Sequence, residues 1–189
     1  MIAPDIPTDM NIVFTGLKHS GKTTHGFSLA KDTDRTFVDL DNLILCLHRQ
    51  QSWISDTENV REIYRNEGKE VFQKYELIAA KAAVVQSSLI ISCGGGIADN
   101  APALELLQDT AFVVYLFDRE ETLFSRIMER GIPAFHSADN TEEEFHAIFV
   151  RRDRIYSSIA NVKIDLSGMD ITKAYSAIRR QLEEHFNGK

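Results

Sequence analysis

Asn11-Ile12-Val13-Phe14-Thr15-Gly16-Leu17-Lys18-His19-Ser20-Gly21-Lys22-Thr23 is the stretch that decides the fold. A short apolar run, of the length and type of a buried strand, gives way to Gly-x-x-x-x-Gly-Lys-Thr. A helix-like pattern then opens at Lys22, and this strand–loop–helix context is what marks a phosphate-binding loop. Gly16 and Gly21 let the backbone curl so that successive N–H groups face an anion, and the helix N-terminus adds a favourable dipole. Lys22 has the reach to meet the β- and γ-phosphates, and the Thr23 hydroxyl is a Mg²⁺ ligand. The residues read as holding Mg·ATP are Gly16, Lys18, His19, Ser20, Gly21, Lys22, Thr23 and Thr24. His19 and His25 read as loop or surface histidines rather than as ligands or bases.

Outward from this stretch, short runs rich in Val, Ile, Leu and Phe predict strands at Asn11–Thr15, Thr36–Asp39, Leu89–Ser92, Ala111–Phe117 and Val162–Asp165. Helical patterns separate them at 22–31, 41–50, 57–86 with a break near Gly68, 101–108, 119–130, 141–160 and 171–186. Thr141 with Glu144 has the spacing of a capping box. Strands alternating with helices predict an α/β domain whose parallel sheet is covered on both faces. Ligands then bind at the carboxyl ends of the strands. No repeat or linker divides the chain, so 1–189 reads as one domain. The stretch 131–141 lacks a clear period and reads as a lid, and 41–86 as the helical segment around the second substrate.

Composition narrows the ligand class. The net charge of −7 argues against a nucleic-acid partner, so an anionic ligand must be held by a local site. No apolar run approaches the length of a membrane span, and the N-terminus does not read as a signal peptide. The two cysteines, Cys46 and Cys93, have no metal-ligand spacing and suit a reducing cytoplasm. Cys93 reads as a small buried apolar residue.

Two further motifs lie at predicted strand ends. Asp39-Leu40-Asp41 puts two carboxylates at i and i+2, on one side of an extended chain. One acid suits the Mg²⁺ shell and the other suits an acceptor hydroxyl. The bland alternative is that Asp41 caps the next helix. Gly94-Gly95-Gly96 follows the third strand and is longer than a turn needs, which suits close approach of a ligand. Arg151, Arg152 and Arg154 fit either an anion clamp or a solvated helix face, and Arg126 and Arg130 are equally ambiguous.

In this order the motifs resemble the shikimate kinases, from about Met10 to Asp165. The resemblance rests on 16–23, Asp39/Asp41, Gly94–Gly96, the lid and Arg152-x-x-x-Tyr156. It also rests on Glu62-Ile63-Tyr64…Gly68-x-Glu70-x-Phe72-x-x-x-Glu76. It implies a three-layer P-loop NTPase fold, akin to nucleoside monophosphate kinases, with a five-stranded parallel sheet in the order 2-3-1-4-5. It further implies ATP-dependent phosphorylation of shikimate, with Lys22 and Asp41 catalytic, and Thr23 and Asp39 on Mg²⁺. Arg126 would stack on adenine, while Asp41, Gln73, Gly94, Gly95, Gly96 and Arg152 would line the acceptor site. The chain would be a cytoplasmic monomer or weak homo-oligomer in aromatic amino acid biosynthesis.

The chain departs from the family pattern at three places. Gln73 stands where the family carries an arginine for the shikimate carboxylate, and Ile132-Pro133 replaces Arg-Pro in the lid. The stretch from Asp41 to Ile63, which includes Trp53, is several residues longer. These changes bear on the acceptor and leave ATP binding untouched. Three readings stay open: a shikimate kinase using Lys69, Lys74, Arg130 or Arg151 instead; a kinase of this fold for a less anionic polyol; and a nucleotide-binding regulatory protein. Intact Lys22, Asp39 and Asp41 argue against the last.

Overall fold

A computed structural model describes residues 6–51, 57–130 and 141–187. β1 (Asn11–Thr15) is buried along its whole length because it lies in the middle of the sheet. β3 (Leu89–Ser92) and β4 (Ala111–Phe117) pair with it on either side, in parallel, with Val13 opposite Ile91 and Val113. β2 (Thr36–Asp39) and β5 (Val162–Asp165) form the edges, giving the order β2-β3-β1-β4-β5. Both the strands and their order match the sequence expectation.

Alternation along the strands divides the core. Ile12 and Phe14 point to one face, where they meet Leu29 of α1 (Lys22–Asp32) and Ile178 and Leu182 of α8 (Ile171–Asn187). Val13 and Ile91 point to the other, which carries the remaining helices. These are α2 (Leu40–Gln51), α3 (Val60–Glu67), α4 (Lys69–Val84), α5 (Ala101–Thr110), α6 (Glu120–Arg130) and α7 (Thr141–Ile159).

The pattern read as a broken helix over 57–86 resolves into α3 and α4, with Gly68 at φ 85° between them. α3 starts at Val60 rather than Thr57 because Asn59 caps it, accepting from the Arg61 N–H at 3.1 Å. Glu62 accepts from the N–H of Glu58, one residue before the cap, at 2.8 Å. Trp53, Ile132 and the proposed lid at 131–140 lie outside the described residues, as do the side chains of Arg130 and Thr141.

Candidate active site

Because the sheet is parallel, the ends of β1, β2 and β3 deliver the phosphate loop, Asp39 and Ser92 to one edge. Asp39 pairs in register with Ser92, and Thr23 stands at the first turn of α1. The Thr23 hydroxyl donates to Asp39 Oδ2 at 2.9 Å and lies 3.2 Å from Ser92 Oγ. The other Asp39 oxygen accepts the N–H groups of Asp41 at 3.0 Å and Asn42 at 3.4 Å. Asp39, not Asp41, therefore caps α2, which overturns the bland reading of Asp41 and leaves that carboxylate available to the site. A carboxylate beside two hydroxyls is a hard oxygen donor set that fits Mg²⁺, which takes a few protein ligands and fills the rest with phosphate and water. Ser92 was missed as a site residue, although its register opposite Asp39 was implicit in the strand pairing.

Lys22 is buried, and its Nζ donates to the Leu17 carbonyl at 2.7 Å. Burial pushes its ammonium down to about 8, against the opposing charges of Asp41 and Asp39. Asp41 moves the other way: burial, and then the neighbouring Asp39 charge, raise its carboxyl to about 6. Such a group is ionised at neutral pH yet more basic than an ordinary aspartate, as a general base requires. Burial drives the Cys93 thiol far up, so it is inert, as its sequence context suggests.

Two cavities meet here. The larger, about 820 Å³, is lined by His19, Gly21, Lys22, Thr23, Thr24 and Arg126 among others. Arg126 pairs with Asp118 at 2.8 Å and donates to the His19 carbonyl at 3.0 Å, which holds it at the rim of the loop. Gly16 and Ser20, read as nucleotide contacts, do not line this cavity. Ser20 is buried beneath the loop, with its N–H on the Leu17 carbonyl at 3.3 Å.

The smaller cavity, about 510 Å³, brings together every residue assigned to the acceptor: Asp41, Gln73, Gly94, Gly95, Gly96 and Arg152. The glycines serve the protein's own packing. A Cβ on Gly94 would lie 2.6 Å from Asp41 Oδ1, and one on Gly95 would lie 2.7 Å from the Lys18 backbone nitrogen. Their absence lets the Asp41 carboxylate and the phosphate loop close against the end of β3. Arg152 and Tyr156 stand one turn apart on α7 and both donate to the Gly95 carbonyl, at 2.9 and 3.1 Å. That shared grip explains the Arg-x-x-x-Tyr spacing.

Asp99 carries no signal in the sequence that would single it out. Arg152 meets its Oδ2 and Arg151 its Oδ1, each at 2.7 Å. Arg151 and Arg152 therefore already face a carboxylate of the chain itself. Gln73 donates to the Asp99 carbonyl at 2.6 Å, and Asn100 bonds the Gln73 carbonyl at 2.8 Å and Glu76 at 3.1 Å. Arg61, weighed nowhere in the sequence, also lines this cavity.

Comparison with known proteins gives one answer. The family model described as shikimate kinase matches residues 18–183. A shikimate kinase from Streptococcus gordonii is 34% identical over 84% of this chain and 92% of its own length. One from Symbiobacterium thermophilum is 30% identical over 93% and 97%. Among solved structures, shikimate kinase from Acinetobacter baumannii in complex with shikimate aligns with a TM-score of 0.80 at 25% identity, covering 96% of each chain. A gluconokinase from Sinorhizobium meliloti, at 14% identity and TM-score 0.61, shares the fold. With its loop, its paired acids and its glycine run each at the end of a strand, this chain belongs to the shikimate kinase family of ATP-dependent small-molecule kinases.

Proposed function

We propose that the protein transfers the γ-phosphoryl group of ATP to a ring hydroxyl of shikimate. The observation that carries this reading is Asp41, a carboxylate that borders both cavities and is poised near 6. Asp41 takes the acceptor's proton as the acceptor oxygen bonds to phosphorus. The bond from phosphorus to the β–γ bridging oxygen breaks, and its electron pair leaves with ADP. Lys22 balances charge on the β- and γ-phosphates, and the N–H groups of 16–23 orient them. Mg²⁺ bound at Thr23 and Asp39 would offset the charge on the same phosphate oxygens. Arg126 borders the nucleotide cavity, where a base can stack on it. Arg152 and Gln73 stand on the acceptor's carboxylate side. The reading treats 1–189 as a single kinase domain acting in the cytoplasm, as a monomer or weak homo-oligomer. Among the described residues no helix is long and apolar enough to cross a membrane.

One observation favours a second acceptor class. With Asp99 already bound to Arg151 and Arg152, and Gln73 neutral, a less anionic polyol would lose little. ADP release coupled to NADH oxidation, run with shikimate and with a panel of uncharged polyols, separates the two. Mass spectrometry should find a singly phosphorylated shikimate. A polyol turned over at least tenfold faster than shikimate would sink the first reading.

A further inference from the structure

Lys18 lies in the phosphate loop, yet its surroundings are unlike those of its neighbours. Four residues border both cavities: Lys18, Asp41, Gly94 and Gly95. Lys18 is the one cation among them, so it stands where a group must pass from nucleotide to acceptor. Its backbone lies close to Gly95, whose missing Cβ lets the two segments touch. Behind it, on the acceptor side, lies Arg61 of α3.

Neither Lys18 nor Arg61 has a carboxylate within ion-pair distance among the described residues, whereas Arg151 and Arg152 share Asp99. Two positive side chains on one cavity wall, close enough to disfavour each other, form a site that an anion would stabilise. Burial first, and then the Arg61 charge, hold the Lys18 ammonium down at about 8, while Asp41 pulls it back up. The sequence 131–140 contains neither lysine nor arginine, so no permanent cation comes from that stretch.

We propose that Lys18, backed by Arg61, is a catalytic oxyanion seat that contacts the phosphoryl group in flight between ADP and the acceptor. This rests on the kinase reading, with Asp41 as base. As the bond to the bridging oxygen breaks and the bond to the acceptor oxygen forms, the three other phosphoryl oxygens keep their charge. An ammonium at the seam stabilises that charge through the transfer, whereas the acceptor's carboxylate lies toward Arg152 and Gln73.

The test uses Mg·ADP with and without aluminium fluoride, a mimic of the transferring group, in calorimetry on the full chain with shikimate present. Wild type should bind Mg·ADP at least about tenfold more tightly with the mimic, as a built oxyanion site requires. Lys18→Met should cut that gain to less than about threefold, a larger loss than any it causes in Mg·ADP affinity alone, and should lower kcat about a hundredfold. Arg61→Met should remove a smaller part of the gain, and Lys18→Arg should keep most of it. An unchanged gain in Lys18→Met, or a rise in acceptor KM with kcat intact, overturns the seat. If Lys18→Met loses Mg·ADP itself, Lys18→Arg decides: loss of both ligands there marks a structural residue and also overturns it. Shikimate turnover by the wild type is measured in parallel. Its absence removes the acceptor reading, while the seat is judged on the fluoride gain.

Discussion

The phosphate loop is one short stretch, 16–23, whereas the acceptor cavity gathers Asp41, Gln73, Gly95, Asp99 and Arg152 from separate elements. The first is a local device: glycines, a helix end and a lysine, whose function is set by backbone shape. The second exists only after α2, α4, β3 and α7 have packed on one face of the sheet. A local device tolerates drift elsewhere in the chain. An assembled one can be retuned by a single side chain, and Gln73 is the position in this cavity that departs from the family pattern.

The sharpest way to break the contrast is at Lys22. Lys22→Met should lower phosphoryl transfer to any acceptor by at least about 10³-fold and weaken Mg·ATP in calorimetry. Retained activity would mean that the loop is not the phosphate site. Next in size is Asp41→Asn, which keeps shape but removes the base. Turnover should fall by about 10²–10³-fold with ATP affinity intact. The wild-type rate should rise with pH through about 6, because Asp41 acts in its ionised form, and the variant should lose that limb. Asp39→Asn should instead raise the Mg²⁺ concentration needed for half-maximal rate. If both variants keep wild-type kinetics, the acids are structural.

A smaller effect tests the assembled half. Gln73→Arg adds a cation on the carboxylate side, where a charge-assisted bond is worth about 1.5–3 kcal/mol. The KM for shikimate should fall about tenfold while that for ATP stays put. A higher KM for shikimate alone would favour the uncharged-polyol reading. The smallest effect is on stability. Lys22 holds its proton less tightly when folded, at about 8 against an ordinary 10.5, so the unfolded chain binds more protons between these values. Stability should therefore rise as pH climbs from about 8 to 10.5, and Lys22→Met should flatten that rise in urea titrations. A fall over this range in the wild type would contradict the buried ammonium.

The same division decides what could be read from the sequence. The strands were legible because each is a short apolar run, bounded by residues that stop it. The loop, Asp39, Asp41 and the glycine run were legible because their chemistry is written in adjacent positions. The grip of Arg152 and Tyr156 on the Gly95 carbonyl was visible only as a spacing, since its partner lies far along the chain. Asp99 and Arg61 carried no local signal. Each sits in an ordinary charged or turn-like context, and only packing turns them toward the cavity. The start of α3 departs from the apolar periodicity because a polar cap, Asn59, sets it.

The glycine run has a genetic consequence. Every amino-acid-changing single-base step from a glycine codon yields a stop or a residue with a Cβ. At 94 that atom would meet Asp41 Oδ1 at 2.6 Å, and at 95 the Lys18 backbone at 2.7 Å. Missense steps at these two codons therefore press on Asp41 and Lys18, although neither glycine carries a functional group. The tolerance of this gene to random change should be lowest where its protein has the least side chain.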